Sequence, residues 1–195
     1  MPSTDTANSG RYWFPKPYAD TVARLRVPSG FLLVAAFAWY ANPTALTAAL
    51  GLSVSLAGMW LRAWAAGHLA KNKQLAQSGP YAWTRNPLYL GTLLVASGFV
   101  IAARRPGLAY LLGAVFAFVY LPVIELEEQH LRKLFPEYAA YASRVPRLGF
   151  VRPQSIPDGP TSPRFSVSLY LKNQEYQALA GFLAGALLIV WRVLL

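Results

Sequence analysis

From Ala45 to Ala66 the chain runs apolar with Arg62 as its single charged side chain, and that is the length an α-helix needs to cross about 30 Å of hydrocarbon. Inside a bilayer every amide must find its partner within its own segment, so such a run spans as a helix. Four further apolar runs follow the same logic: Val27 to Ala41, Leu88 to Ala103, Leu108 to Ile124 and Tyr176 to Leu195. Asn42-Pro43 separates the first pair as a tight turn, and Arg104-Arg105-Pro106-Gly107 breaks the second. The pattern predicts an all-α, polytopic transmembrane bundle of about five helices, two hairpins followed by a C-terminal helix. The first run, at 15 residues, is the shortest.

The 195 residues form one membrane domain on this reading: a polar segment 1–26, a hairpin 27–66, a loop 67–87, a hairpin 88–124, a polar segment 125–175 and a last helix 176–195. Segment 1–26 has no apolar core of the kind that marks a signal peptide. The Pro-rich stretch from Arg152 to Pro163 reads as a surface connection. With 13% charged residues and 55% hydrophobic, the chain departs from soluble domains, which carry roughly 25% charged residues. The absence of cysteine excludes disulfides, thiolate metal sites and a cysteine nucleophile.

Charge placement orients the bundle. The segments before the first helix, after the second and after the fourth, counting Arg62 near the end of the second, hold 15 of the 18 basic residues and all 8 acidic ones, leaving Arg104, Arg105 and Arg192 for the opposite side. Since Lys and Arg accumulate in cytoplasmic loops, the crowded side is expected to face the cytoplasm. Gly181 and Gly185 stand four apart in the last run, a small-xxx-small spacing that lets helices approach. Packing within the chain is the simpler use of it; oligomeric state stays open.

Two segments are too polar and too patterned to be connectors. Residues 74–91 lead into the third helix and residues 125–147 leave the fourth, so a hairpin returns both to one surface and makes Tyr89 and Glu127 neighbours in space. Glu127 and Glu128 lie where the fourth helix leaves the membrane, an expensive place for carboxylates without a cation or water; Glu128 also stands four before Arg132, an ordinary helical ion-pair spacing. Arg85 precedes Asn86-Pro87, and Pro87 can open the third helix at its first turn. His68 and His130 lack a third ligand at metal spacing, so no metal is expected. His130 reads as a solvated helix residue, while His68, at the foot of the second helix, faces the same surface as the polar segments. No phosphate-binding glycine loop or Ser/His/Asp arrangement stands out, and basic residues beside aromatics suit a membrane interface better than nucleic acid.

Ser78-Gly-Pro-Tyr-Ala-Trp-Thr-Arg-Asn-Pro-Leu-Tyr-Leu-Gly91, followed by Glu127-Glu128, Phe135, Glu137-Tyr138, Tyr141 and Val145-Pro146, resembles the isoprenylcysteine carboxyl methyltransferase family and its phospholipid N-methyltransferase relatives over about residues 60 to 150. The resemblance implies an integral-membrane enzyme using S-adenosylmethionine, its cofactor held between the Arg-x-Pro-x-Tyr segment and the acid pair. It also implies a lipophilic methyl acceptor admitted from the bilayer between flanking helices. By the family's pattern Leu75, Ala76, Tyr81, Asn86, Pro87, Tyr89 and Glu127 match cofactor-contacting positions, and His68 and Glu128 join them as candidates. Arg85, Asn86 and Arg144 are the candidate catalytic residues, with Arg147 beside Arg144 suited to a headgroup layer. Two departures bear on the acceptor. The family commonly has His where Asn86 stands, and Asn cannot carry a proton near neutral pH. The arginine found one turn before the acid pair in the prenylcysteine enzymes is replaced by Pro122-Val123-Ile124.

The cofactor's chemistry suits these residue types. Its ammonium and ribose diol call for carboxylates and its adenine and sulfonium for aromatic faces, which Glu127, Glu128, Tyr81, Trp83 and Tyr89 can supply. A sulfonium is already a good leaving group, so positioning and desolvation suffice and no enzyme nucleophile is required. Methylation of an O, N or S atom of a lipophilic small molecule is the function expected. A non-catalytic helical scaffold or complex subunit, and a membrane reductase of similar architecture, are the alternatives.

Overall fold

In the computed structural model the described residues are 13–149 and 165–195. The Pro-rich connection from Arg152 to Pro163 lies outside them. All regular structure among the described residues is helical: α1 (Lys16–Tyr40), α2 (Ala45–Ala66), a short 3-10 turn (Gly79–Ala82), α3 (Pro87–Ala103), α4 (Pro106–Val115), a π-helical turn (Phe116–Tyr120), α5 (Leu121–Leu134), α6 (Tyr138–Arg144), α7 (Val167–Lys172) and α8 (Glu175–Leu194). α4, the π turn and α5 run on as one 29-residue helix, Pro106–Leu134. That helix, α2 and α8 are each long and apolar enough to cross a membrane, and α1, bent by 51°, makes a fourth if it counts as one span. At 17 residues α3 reaches only about 25 Å. Bulky apolar side chains stand outward on these helices, among them Trp39, Leu46, Tyr110, Phe118 and Leu187, as lipid-facing surface requires.

The first helix differs from the sequence expectation. Lys16 to Leu25, assigned above to a polar segment, is helical and continuous with the apolar run. Ala19 and Val22, three apart, are buried while Lys16 and Asp20 are exposed, so this first part is amphipathic and packs one face on the protein. Its bend lies between Leu25 and Pro28, where proline removes an interior hydrogen bond. No side chain caps its start; instead the buried Glu125 carboxylate accepts the Trp13 N–H at 2.6 Å and the Phe14 N–H at 3.1 Å. A second anchor arises from Pro122, which has no N–H to offer the Phe118 carbonyl four residues earlier. The helix widens into the π turn there, and the Tyr18 hydroxyl donates to the freed Phe118 carbonyl at 2.6 Å.

α2 and α3 pack most closely. A Cβ on Gly58 would stand 2.7 Å from the Gly91 carbonyl oxygen, and one on Gly51 would stand 2.6 Å from the Ala102 amide. Glycines seven apart on each helix, 51 facing 98 and 58 facing 91, thus bring backbone against backbone. The glycine pair singled out above behaves differently: Gly185 abuts the Phe99 ring, whereas Gly181 has open space around it. α8 lies against α2. At the end remote from the polar segments, Ala41, Ala48, Ala102, Ala103, Leu108 and Ile189 form a core. There Arg192 donates to the Ala38 and Ala41 carbonyls at 2.6 and 3.2 Å, and Arg105 to the Tyr40 carbonyl at 3.1 Å. Two of the three arginines expected at the far surface therefore close the C-terminal carbonyls of α1.

Candidate functional site

The site is built where α2 ends, α3 begins and α5 leaves the bundle. Glu128, buried on α5, holds the two polar segments together. Its Oε1 accepts Asn86 Nδ2 at 3.0 Å and its Oε2 accepts Arg147 Nε at 3.1 Å. Arg147 Nη2 and Arg85 Nη1 stand 2.9 and 3.4 Å from the same oxygen. Backbone contacts repeat the join: Arg85 N–H donates to the Pro146 carbonyl at 2.9 Å, and Asn86 Nδ2 donates also to the Arg147 carbonyl at 3.1 Å. Both amide protons of Asn86 are thereby engaged, which makes it a positioning residue. Tyr141 adds a buried bond from its hydroxyl to the Tyr81 carbonyl, 2.7 Å long, and Leu75 packs among Tyr138, Tyr141 and Val145.

This clamp walls a cavity of about 960 Å³, at the upper end of the size usual for small-molecule sites. Leu75, Ala76, Tyr81, Asn86, Pro87, Tyr89 and Glu127 line it, with Arg85. The structure thus brings together all seven residues that matched the family's cofactor pattern. Glu127 is exposed at its mouth and accepts the Tyr89 hydroxyl at 2.8 Å; the Tyr89 ring meets Tyr120 edge-on with centroids 6.0 Å apart.

Four candidates fall elsewhere. His68 is buried outside the lining, its Nδ1 2.9 Å from the Trp64 carbonyl oxygen and its ring against the turn at Gly79. Gly79 has φ +57°, so the absence of a Cβ serves both that backbone angle and the close histidine. Glu128, expected as a cofactor ligand beside Glu127, lies outside the lining and turns into its two arginines. Arg144 is exposed on α6 and donates to the Ala140 carbonyl at 3.2 Å; Trp83 is also exposed and outside the lining.

Sequence reasoning missed other lining residues: Arg62, Thr92, Tyr120, His130, Asn173 and Glu175. His130, read as a solvated helix residue, is exposed and stands at the mouth. Arg62 and Glu175 form a salt bridge with Nη2 2.7 Å from Oε1 and Nε 3.1 Å from Oε2. The available signal was a lone cation inside one apolar run and a lone acid opening another, which a membrane protein seldom leaves apart. Asn173 sets the register by donating to the Ala66 and Leu69 carbonyls, both at 2.9 Å.

Three tyrosines of the clamp have raised pKa values. Burial drives Tyr81 far up, with help from Tyr141, Glu127 and Glu175. Burial likewise raises Tyr141, reinforced by Tyr138, and lifts Tyr138 to about 12, with Glu128 adding to the effect. Each phenol holds its proton more tightly folded than unfolded, so the unfolded chain ionises first and stability falls as pH rises above the ordinary value of 10.0. Thermal unfolding in detergent is expected to be flat in this respect below about pH 10 and to shift downward above it, less so in a Tyr138→Phe variant; identical alkaline profiles for the two proteins would contradict this.

Comparison with known proteins agrees with the geometry. Residues 45–138 match the family model of the phospholipid methyltransferases. The cobalt-zinc-cadmium resistance protein CzcN of Cupriavidus metallidurans is 35% identical over 122 residues, and the nickel-cobalt-cadmium resistance protein NccN of Alcaligenes xylosoxydans xylosoxydans is 32% identical over 122 residues. Each alignment covers 60% of this chain, which spans 56% of the length of either relative. No solved structure matches the chain. The family match begins with α2 and ends at Tyr138, enclosing the Arg-x-Pro-x-Tyr segment and the acid pair, and over residues 45–138 the chain is similar to the phospholipid methyltransferases.

Proposed function

We propose that this protein is an integral-membrane methyltransferase that transfers a methyl group from S-adenosylmethionine to a lipophilic acceptor, with its cofactor site on the cytosolic face. The observation that carries this reading is the convergence of Leu75, Ala76, Tyr81, Asn86, Pro87, Tyr89 and Glu127 on one cavity. The donor set fits the cofactor. The Glu127 carboxylate is accessible and suited to an ammonium or a ribose diol, with the Tyr89 hydroxyl fixing its orientation. Tyr81, Tyr89 and Tyr120 supply ring faces and edges beside the apolar floor of Leu75 and Ala76.

When bound, the cofactor supplies a methyl group already activated on sulfur. The chain's own residues then have to orient two molecules and keep water out, and such alignment alone is worth several kcal/mol. Glu128, Arg85 and Arg147 fix the wall from behind, Asn86 holds the start of α3, and the walls of the cavity exclude solvent. The cluster of basic residues around the mouth, at the ends of the apolar helices, supports a cytosolic orientation.

Calorimetric titration with S-adenosylhomocysteine tests the reading. Saturable binding is expected for detergent-purified protein, weakened at least about tenfold in Glu127→Gln and in Tyr89→Ala, as loss of a hydrogen bond to a charged group predicts. Absence of binding by well-folded wild type, repeated in lipid nanodiscs, would refute it. A second reading would then lead, favoured by the names of the relatives: a non-catalytic membrane subunit of a metal-resistance system.

A further inference from the structure

The Arg62 and Glu175 pair is unused by the cofactor reading, yet it lines the same cavity. Arg62 lies four residues before the end of α2, and Glu175 opens α8. The guanidinium is almost saturated: Nε and Nη2 reach Glu175, and Nη1 reaches the Leu88 carbonyl at 3.3 Å and the Thr92 hydroxyl. With five N–H bonds in all, it has little left to offer an anion. Each Glu175 oxygen takes one bond from this arginine, and a carboxylate oxygen has a second lone pair. The pair therefore offers chiefly hydrogen-bond acceptors, which suit a donor and leave a carboxylate with little to bind.

The cavity also has an apolar flank. Gly30, Phe31 and Val34 of α1 line it, and Phe31 and Val34 are 72% and 65% exposed, so it opens sideways along a helix face suited to lipid. The buried Tyr81 phenol lines the same cavity as Glu127, Glu175 and Arg62. The lining thus carries the accessible carboxylate of Glu127 and, besides it, an apolar flank on α1 and a carboxylate held by Arg62.

We propose that Glu175, held by Arg62, receives the hydrogen-bond-donating head of an amphiphile entering past Phe31 and Val34, so that the methyl acceptor presents a neutral X–H group, as in an alcohol, phenol, thiol or amine, and not a carboxylate. This rests on the methyltransferase reading and names its acceptor class. Glu175 is a specificity residue and Arg62 a positioning residue that holds the carboxylate in place.

Two diazirine-bearing probes of equal chain length, a dodecanol and a dodecanoate, test it in phosphatidylcholine nanodiscs, with crosslinks located by mass spectrometry and S-adenosylhomocysteine binding measured on the same samples. Glu175→Gln alone leaves Arg62 without its counter-charge, so the double variant Arg62→Gln/Glu175→Gln, which removes both charges, is run beside it. The alcohol is expected to label residues 30–34 and 88–92 at least about tenfold more than the carboxylate. That preference should vanish in the double variant while S-adenosylhomocysteine still binds. Equal labelling by both probes, unchanged preference in the double variant, or no cavity labelling in protein that binds S-adenosylhomocysteine would each overturn the proposal. Wild type that fails to bind S-adenosylhomocysteine would overturn the methyltransferase reading itself.

Discussion

Replacing Glu128 with alanine is expected to destabilise the protein by about 3–5 kcal/mol, the usual consequence of leaving buried charge without its partner. Arg85 and Arg147 both turn their guanidinium groups onto one Glu128 oxygen, and all three side chains are largely shielded, at 12%, 19% and 3% exposure. Removal of the carboxylate would leave two cations close together and strip Asn86 Nδ2 of one acceptor. A domain of this size has only about 5–15 kcal/mol of stability in all, so the variant should lose a large share of it. Arg147 would also drift from the Trp13 ring, over which its guanidinium carbon lies 4.3 Å from the centroid. Thermal unfolding of the detergent-solubilised variant followed by intrinsic fluorescence measures this directly, and a midpoint within a degree or two of wild type would show that the arginines find other partners. Glu127→Gln makes the matched comparison: its carboxylate is exposed, so it should alter cofactor affinity and leave the unfolding midpoint nearly unchanged.

The second large effect is expected at the contact of α2 with α3. Gly98→Val should prevent these helices from closing, because a Cβ there meets the Gly51 carbonyl oxygen, the Ser55 amide nitrogen and the Ser55 hydroxyl. Two of the three are backbone atoms, which cannot swing aside as a flexible side chain would. The Ser55 hydroxyl is engaged as well, donating to the Val95 carbonyl at 2.8 Å. Overpacking typically costs about 1–3 kcal/mol where side chains can shift, and here the relief must come from separating two helices. Such separation would move Leu88 and Tyr89 away from Arg62 and Glu127, so lost binding of S-adenosylhomocysteine should accompany lost stability. Gly181→Val provides the control, since that Cβ meets nothing within 4 Å and its effect should stay within about 0.5 kcal/mol. Comparable damage from both substitutions would mean that β-branching, and not the close approach, is responsible.

These two sites show why parts of the molecule were legible in the sequence and others were not. Helices α2, α3 and α8 could be placed within a few residues because an apolar run long enough for a bilayer has one physical solution; the fourth run, Leu108 to Ile124, gave the start of its helix but not the polar extension to Leu134. The polar start of α1 was missed: its helicity depends on Glu125, more than a hundred residues away, capping Trp13 and Phe14. The glycines that matter lie seven apart on two different helices, a pairing invisible to spacing within either one. For the candidate site, the segment around Arg85-Asn86-Pro87-Leu88-Tyr89 and the acid pair were enough to indicate a surface on which cofactor chemistry was expected.

What the sequence alone determined is therefore the long apolar helices and the residue types at one polar end. The division of labour at that end was settled by tertiary structure. Adjacent residues on a helix point about 100° apart, so Glu127 faces the cavity and Tyr89 while Glu128 faces Arg85 and Arg147. Nothing in two consecutive glutamates says which way each turns. Likewise Arg62 and Glu175, 113 positions apart, became one feature only when Asn173 tied the start of α8 to the end of α2. A buried charge must meet its partner inside the protein, and which partner it meets is fixed by packing between elements that the chain's order does not reveal.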